Sequence, residues 1–374
     1  MWTPLPAAER CQTLDLLRGF ALFGVLMVNL LDFFRVSLFY SVLHFHTHEG
    51  WANHAVDNFI SGALEFKAFE LFSLTFGMGV AVQAERARAR GVNAEAFLVR
   101  RFLILLVFGV AHLVLVSNVD ILTLYALCGL MLIAFVRLPA GILAVLGLSL
   151  VFLPTLLPLG PVLPSASVLE AHAAAATQTY SHGSFLSILV FRWNETRQLI
   201  APVLENVAQT ALGLMLTGMG LWRSGLVKDP ERFRVWLWVF CLTAGLVGVT
   251  NRLFHVPVLH RLGPTVPLAF AYGAAILAGH RAWRGRAAPV AAPLAAMGQM
   301  ALTNYLMQTI VFALLFYGFG LGLMGRLSPV EAAALGILFY AAQLRFSLWW
   351  LRRYRFGPFE WLWRSASYGR RQPL

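Results

Sequence analysis

The sequence predicts an all-α membrane protein: a polytopic bundle of about ten transmembrane helices with both termini on the cytoplasmic side. Three observations carry that expectation. Of the 374 residues, 59% are hydrophobic and only 12% charged, against roughly 25% charged in a soluble domain. The mean hydropathy is +0.70. The basic residues, finally, fall in short stretches between long apolar runs. So little polar surface cannot cover a soluble globule, which excludes a cytosolic enzyme, a disordered chain and a coiled coil.

Apolar runs long enough to span a bilayer cover 16–36, 59–83, 102–119, 120–136, 140–160, 202–222, 235–251, 263–280, 291–317 and 328–351. The first contains Arg18 and lacks a small-residue cleavage site, so it is expected to stay as a span rather than be removed as a signal peptide. With the N-terminus inside, the inner side collects Arg10, Arg86–Arg90, Arg100, Arg101, Arg137, the 223–234 and 281–286 clusters and the C-terminal tail. The outer side keeps Arg35, Arg192, Arg197, Arg252, Arg261 and Arg326. That asymmetry favours an even number of spans and a bacterial inner-membrane location. It also absorbs the formal charge of +12, which in a soluble chain would suggest nucleic acid. No nucleic-acid partner is expected. The whole chain reads as one membrane domain: a five-span part over 14–160, a long outer loop over 161–201, and a C-terminal part over 202–374. The three Cys residues, Cys11, Cys128 and Cys241, are too scattered for a disulfide framework or a Cys-based metal site.

Ionisable groups inside spans are costly and mark candidate sites. Asp15 and Arg18 in the first span are three apart, on one helix face, and are expected to pair; Asn29 and Asp32 lie further along. Glu65, Lys67 and Glu70 occupy the second span, with Lys67 and Glu70 again spaced to pair. The third carries His112, eight residues before Asp120, and the ninth carries Thr303, Asn304 and Gln308. If spans two and three are antiparallel neighbours, Lys67 and His112 fall near one depth. A histidine beside a carboxylate is a general base whose tautomer the carboxylate fixes. The alternative reading is a histidine bonded to a neighbouring helix for packing.

Other motifs carry less. Gly320-Leu-Gly322-Leu-Met-Gly325 matches a dinucleotide pattern but follows a membrane helix, so it reads as a turn. His44, His46, His48 and His54 read as an interfacial histidine cluster, and no metal site is expected. No Walker-type loop or Gly-x-Ser-x-Gly elbow is present.

Three stretches together carry a resemblance: Leu14-Asp15-Leu-Leu-Arg18-Gly19 through Asn29; Phe72-Ser73-Leu-Thr-Phe76-Gly77-Met-Gly79 with His112 and Asp120–Gly129; and Gly298–Gln308 with Phe356-Gly357-Pro358-Phe-Glu360-Trp361-Leu-Trp363-Arg364. They resemble the YeiB-like family of bacterial membrane proteins. The opening stretch is also similar to transmembrane acyltransferases, such as heparan-glucosaminide N-acetyltransferase and the acyltransferase-three proteins that O-acetylate envelope glycans. In those glycan enzymes a membrane histidine follows the arginine by eleven residues. Here Asn29 stands at that spacing from Arg18. The working histidine is therefore expected at His112 or, second, among His46, His48 and His54.

The resemblance implies acyl transfer across the bilayer. Acetyl-CoA would enter from the cytoplasm, and an acceptor hydroxyl or amine, on an envelope glycan or small molecule, would come from the outer face. Arg18, with Asp15, Asn29, Asn304 and Gln308, is expected to line the co-substrate path. His112 with Asp120 is expected to take the acceptor proton, and Lys67, Asn29 or Asn304 to steady the oxyanion. A homo-oligomer is compatible with this reading. The competing readings are a solute transporter using the same buried charges and a structural or sensing protein.

Overall fold

A computed structural model describes residues 11–35, 50–118, 120–156, 165–254 and 265–374. The described residues are helical, with no strand among them. In chain order the helices are α1 (Gln12–Arg35), α2 (Trp51–Phe59), α3 (Lys67–Ala89), α4 (Ala94–Leu115), α5 (Ile121–Leu132), α6 (Ala140–Leu156), α7 (Ala166–His182) and α8 (Phe185–Glu195). They continue as α9 (Ala201–Arg223), α10 (Arg234–Phe254), α11 (Val266–Ala278), α12 (His280–Arg284), α13 (Ala288–Gln299), α14 (Ala301–Phe316), α15 (Pro329–Leu351) and α16 (Pro358–Tyr368).

The described residues of each expected apolar run are mainly helical, but fewer of the helices are long and apolar enough to cross a bilayer unaided. Among the described residues four qualify by length and composition, or five if α13 and α14 form one broken span. α5, α6 and α11 are apolar but shorter. α1 is the central element: 72% of its apolar window is buried inside the protein, against 22% for α10. α10 instead exposes Trp236, Trp238, Phe240, Leu242 and Leu246, the surface a lipid-facing helix presents.

Close approach of backbones holds the centre together. A methyl group on Gly77 of α3 would overlap the Met215 carbonyl of α9, and one on Gly218 of α9 would overlap the Leu74 carbonyl of α3. α1 and α13 repeat the device with Gly19 against Leu294 and Gly298 against Asp15. Lipid tails are as apolar as leucine, so helices gain by packing backbones tightly rather than by leaving water.

The arginine-rich connections meet at one end of the bundle. Arg88 donates to Glu95 (3.1 Å) and to the Val136 carbonyl (3.0 Å), while Arg137 reaches the same Glu95 carboxylate at 2.8 Å. Arg223 caps the Val136 and Leu138 carbonyls, and Lys228 pairs with Glu85 at 3.1 Å. We call this the basic end. Arg100 and Arg101, expected in a loop, lie inside α4 because Asn93 starts that helix early, its side chain accepting from Ala96 N–H at 3.0 Å.

Two expected spans are interrupted. The second begins only at Lys67. Before it, a π-helical turn (Ile60–Leu64) ends in a three-residue turn in which Lys67 N–H donates to Glu65 (2.8 Å) and Phe66 sits at φ 61°, ψ −39°. A positive φ at an aromatic residue is strained, and here it redirects the chain into α3. The ninth bends by 80° between α13 and α14, at Met300 (φ −106°, ψ 34°).

Gly77→Val is expected to destabilise the protein by about 1–3 kcal/mol through overpacking. Gly141→Ala, where an added methyl meets nothing within 4 Å, is expected to leave the melting temperature unchanged. Thermal unfolding in detergent compares the two.

Candidate functional site

Two adjoining compartments, of about 150 and 170 Å³, open into the bundle from the basic end. They share Arg18, Gly79, Gln83, Arg101, Gly298, Gln299 and Arg364. The outer one adds Cys11, Asp15, Arg86, Arg90 and Tyr368, so among the described residues five arginines face it against Asp15 as its one carboxylate. The inner one turns aromatic, with Phe72, Phe76, Phe102, Tyr125, Trp363 and, at its deep end, Tyr305 beside Ile121 and Leu122. Charge at the mouth and rings at depth suit a ligand with an anionic head and a less polar arm. A larger cavity of about 510 Å³ between α3, α6, α9, α10 and α11 has no titratable side chain in its lining.

Helix bonding and packing explain how the charges come to line this space. Asp15 and Arg18 pair as expected, at 3.5 Å, and Arg18 also donates to the Thr75 carbonyl at 3.4 Å. Arg101 is only 6% exposed. Its guanidinium lies 3.6 Å from the centroid of Trp363, whose indole N–H donates to the Arg101 carbonyl at 3.0 Å. No carboxylate among the described residues pairs with Arg101, and its Nε–H has no partner. Cys11 stands at the mouth, just before α1, where burial pushes its thiol pKa up and keeps it protonated and weakly nucleophilic.

The C-terminal motif is the brace for this wall. The bend at Met300 leaves the first N–H groups of α14 without helical partners. Glu360 takes them, accepting from Thr303 N–H at 3.0 Å and from the Thr303 hydroxyl at 2.5 Å. Thr303 Oγ1 in turn accepts from Phe359 N–H at 3.1 Å. Gly357 is needed because a Cβ there would collide with the Glu360 carboxylate. α16 is thereby pinned across the basic end, bringing Trp363 onto Arg101 and Arg364 onto Phe356, 4.7 Å from its ring.

Beyond the deep end lies a buried polar chain. His112 Nδ1 is 2.8 Å from Asp120, and Nε2 is 2.8 Å from the Thr309 hydroxyl. Asp120 also caps α5, accepting from Leu122 N–H (3.1 Å) and Thr123 N–H (2.6 Å). A carboxylate so bonded only accepts, so the histidine proton sits on Nδ1. Tyr305 connects the two regions: it lines the cavity, and its ring packs on His112 with centroids 5.3 Å apart.

The remaining expected site residues are elsewhere. Lys67 Nζ donates to the Ser61 carbonyl at 3.0 Å, while Glu70 accepts from Thr265. The two form no direct ion pair, because the π-helical turn before them supplies the Ser61 carbonyl, which takes the ammonium. Lys67, Asn29, Asn304 and Gln308 are absent from the cavity lining. Asn304 instead donates to Ser347 (2.9 Å) and Gln308 to Gln343 (2.9 Å), tying α14 to α15. His46 and His48 lie outside the described residues, and His54 lies on α2. Glu195, at the end of α8, centres a packing cluster: its buried carboxylate accepts from Asn118, from Tyr180 at 2.6 Å and meets His172 at 2.9 Å. Sequence reading placed Arg101 only in the inner basic stretch and Tyr305, Glu360 and Arg364 only in the shared motifs, without a site role, and it passed over Thr309.

Asp120→Ala removes a helix cap and strands His112. Together these are expected to cost about 2–4 kcal/mol, read as a lower melting temperature.

Comparison with known proteins places the chain. A family model described as "Protein of unknown function (DUF418)" matches residues 221–370. The chain is 32% identical to the uncharacterized protein YxaH of Bacillus subtilis (strain 168), over 99% of this chain and 97% of that one. It is 29% identical to an uncharacterized 39.9 kDa protein in the amylase 3' region of Bacillus acidopullulyticus, over 99% and 97%. To the uncharacterized protein YeiB of Escherichia coli (strain K12) it is 30% identical, over 96% of each chain. With identity of that order running from end to end, the chain belongs to the YeiB-like family.

Proposed function

We propose that this protein is a transmembrane acyltransferase that takes an acyl group, acetyl first, from acyl-CoA at the basic end and delivers it toward the opposite face. In this reading the chain spans a bacterial inner membrane ten times, and the basic end is cytoplasmic. The observation that carries the reading is Arg101, a buried guanidinium without a carboxylate partner among the described residues, facing a cavity that ends one ring short of a histidine. A cation held out of water without a counter-charge is costly, and an anionic ligand offsets that cost when it binds.

The forked donors of Arg18, Arg101 and Arg364 suit phosphate oxygens. Asp15 keeps Arg18 oriented. The aromatic compartment would take the pantetheine arm and keep water from the thioester. His112, oriented by Asp120, would accept the proton released when the acceptor attacks. Enclosure of both reactants in one dry space would supply much of the acceleration.

The broken pair α13–α14 is also the kind of element that solute transporters use at their binding sites. Against that second reading stands a polar cavity entered from the basic end and closed by Tyr305.

Purified protein is expected to gain thermal stability with acetyl-CoA. Arg101→Gln is expected to weaken that binding about tenfold or more, since hydrogen bonds to charged groups are worth about 1.5–3 kcal/mol. No CoA-dependent stabilisation in the wild type, together with solute uptake into liposomes, would replace acyl transfer by transport.

A further inference from the structure

We propose that Thr309 is the nucleophile of this site and carries the acyl group between the two faces as a threonine ester. The inference rests on the acyl-transfer reading and deepens it.

The geometry is that of an acid, a base and a hydroxyl in series. Asp120 Oδ1, His112 and Thr309 Oγ1 are linked by two contacts of 2.8 Å, one at each ring nitrogen. All three side chains are buried: Asp120 and His112 are 3% exposed and Thr309 is 1% exposed. With the ring proton on Nδ1 facing Asp120, Nε2 is the acceptor and the Thr309 hydroxyl its donor. The hydroxyl's other neighbours, the Leu306 and Tyr305 carbonyls, are further away at 3.1 and 3.3 Å. A hydroxyl donating to an imidazole that a carboxylate orients is the activated-nucleophile arrangement, recognised by geometry and independent of fold. A threonine that only packed a helix would need its own backbone carbonyl and nothing more.

Position along the fold agrees. Thr309 lies one turn, about 6 Å, beyond Tyr305 on α14, and Tyr305 lines the deep end of the cavity. With the Tyr305 ring displaced, the thioester arm advances onto the hydroxyl. His112 Nε2 takes the Thr309 proton as Oγ1 bonds to the thioester carbonyl carbon. The carbon–sulfur bond then breaks, and the departing CoA sulfur takes that proton from the imidazolium. Acyl-Thr309 and CoA thiol result. In the second half an acceptor hydroxyl or amine attacks the ester carbonyl and gives its proton to His112, which returns it to Thr309 Oγ1 as the ester bond breaks. Only the thioester end of CoA has to pass the Tyr305 ring; the phosphates stay among the arginines at the mouth, and the acyl group alone goes on toward the opposite face.

The test uses purified full-length protein, acetyl-CoA and no acceptor. The expected result is a burst of one CoA thiol per protein, with one acetyl group on the peptide bearing Thr309, released by hydroxylamine. Thr309→Ser is expected to retain the burst, and Thr309→Val, checked for an unchanged melting profile, to slow it about 10³-fold or more. Bound acetyl-CoA with His112-dependent thiol release, but no acetyl on Thr309 and full release by Thr309→Val, would overturn the ester and leave acyl transfer standing. Acetyl recovered on His112 would overturn it equally. Absence of CoA binding would overturn both readings together.

Discussion

A guanidinium taken out of water, with no carboxylate among the described residues to pair it, is the constraint around which this protein is arranged. Arg101 could have been neutralised by any neighbouring acid, yet Glu360, which lines the same inner compartment, is turned to the backbone and hydroxyl of Thr303. The effective cost of an unpaired buried ion is several kcal/mol. Stacking on Trp363 recovers only part of it, since cation–π contacts contribute about 2 kcal/mol when desolvated. The balance is left to whatever enters the cavity. A structural role alone would be served by leucine or methionine at this position, at lower cost.

The interruption of the ninth apolar run follows from the same requirement. A straight helix from 288 to 316 would satisfy its own backbone and present a sealed face. The 80° bend instead opens donors, and the chain returns from its far end to satisfy them with Glu360. That return brings Trp363 and Arg364 to the cavity wall. Residues about 57 positions apart in sequence thus form one structural unit, which explains why Thr303-Asn304-Tyr305 and Phe356-Gly357-Pro358-Phe359-Glu360 read as one signature.

Much of this was legible in the sequence. Hydropathy located the apolar helices, though not α7 and α8, which lie in the stretch expected as an outer loop; helix-face spacing paired Asp15 with Arg18, and His112 and Asp120, eight residues apart across a helix end, meet. The failures have physical causes. Arg100-Arg101 looks like a loop because basic pairs usually are, and only the cap at Asn93 moves it inside α4. Lys67 and Glu70 have the spacing of a pair, but the π-helical turn before them supplies the Ser61 carbonyl, which takes the ammonium. Asn304 and Gln308 were expected to face the co-substrate path. Their stripe is real, but it faces α15, and no periodicity tells which neighbour a helix face will meet. Thr309 gives no signal at all, since a threonine in an apolar helix ordinarily satisfies its hydroxyl on its own backbone.

The account stands or falls on a cavity that runs from the basic end past Leu302 and is closed at Tyr305. Its most direct measurement is thiol accessibility of Leu302→Cys after Cys11, Cys128 and Cys241 are replaced by serine. In sealed vesicles of known orientation, a membrane-impermeant maleimide is expected to label that thiol from the basic side alone, and bound acetyl-CoA to protect it. Labelling from the opposite side, or none from the basic side, would contradict the account.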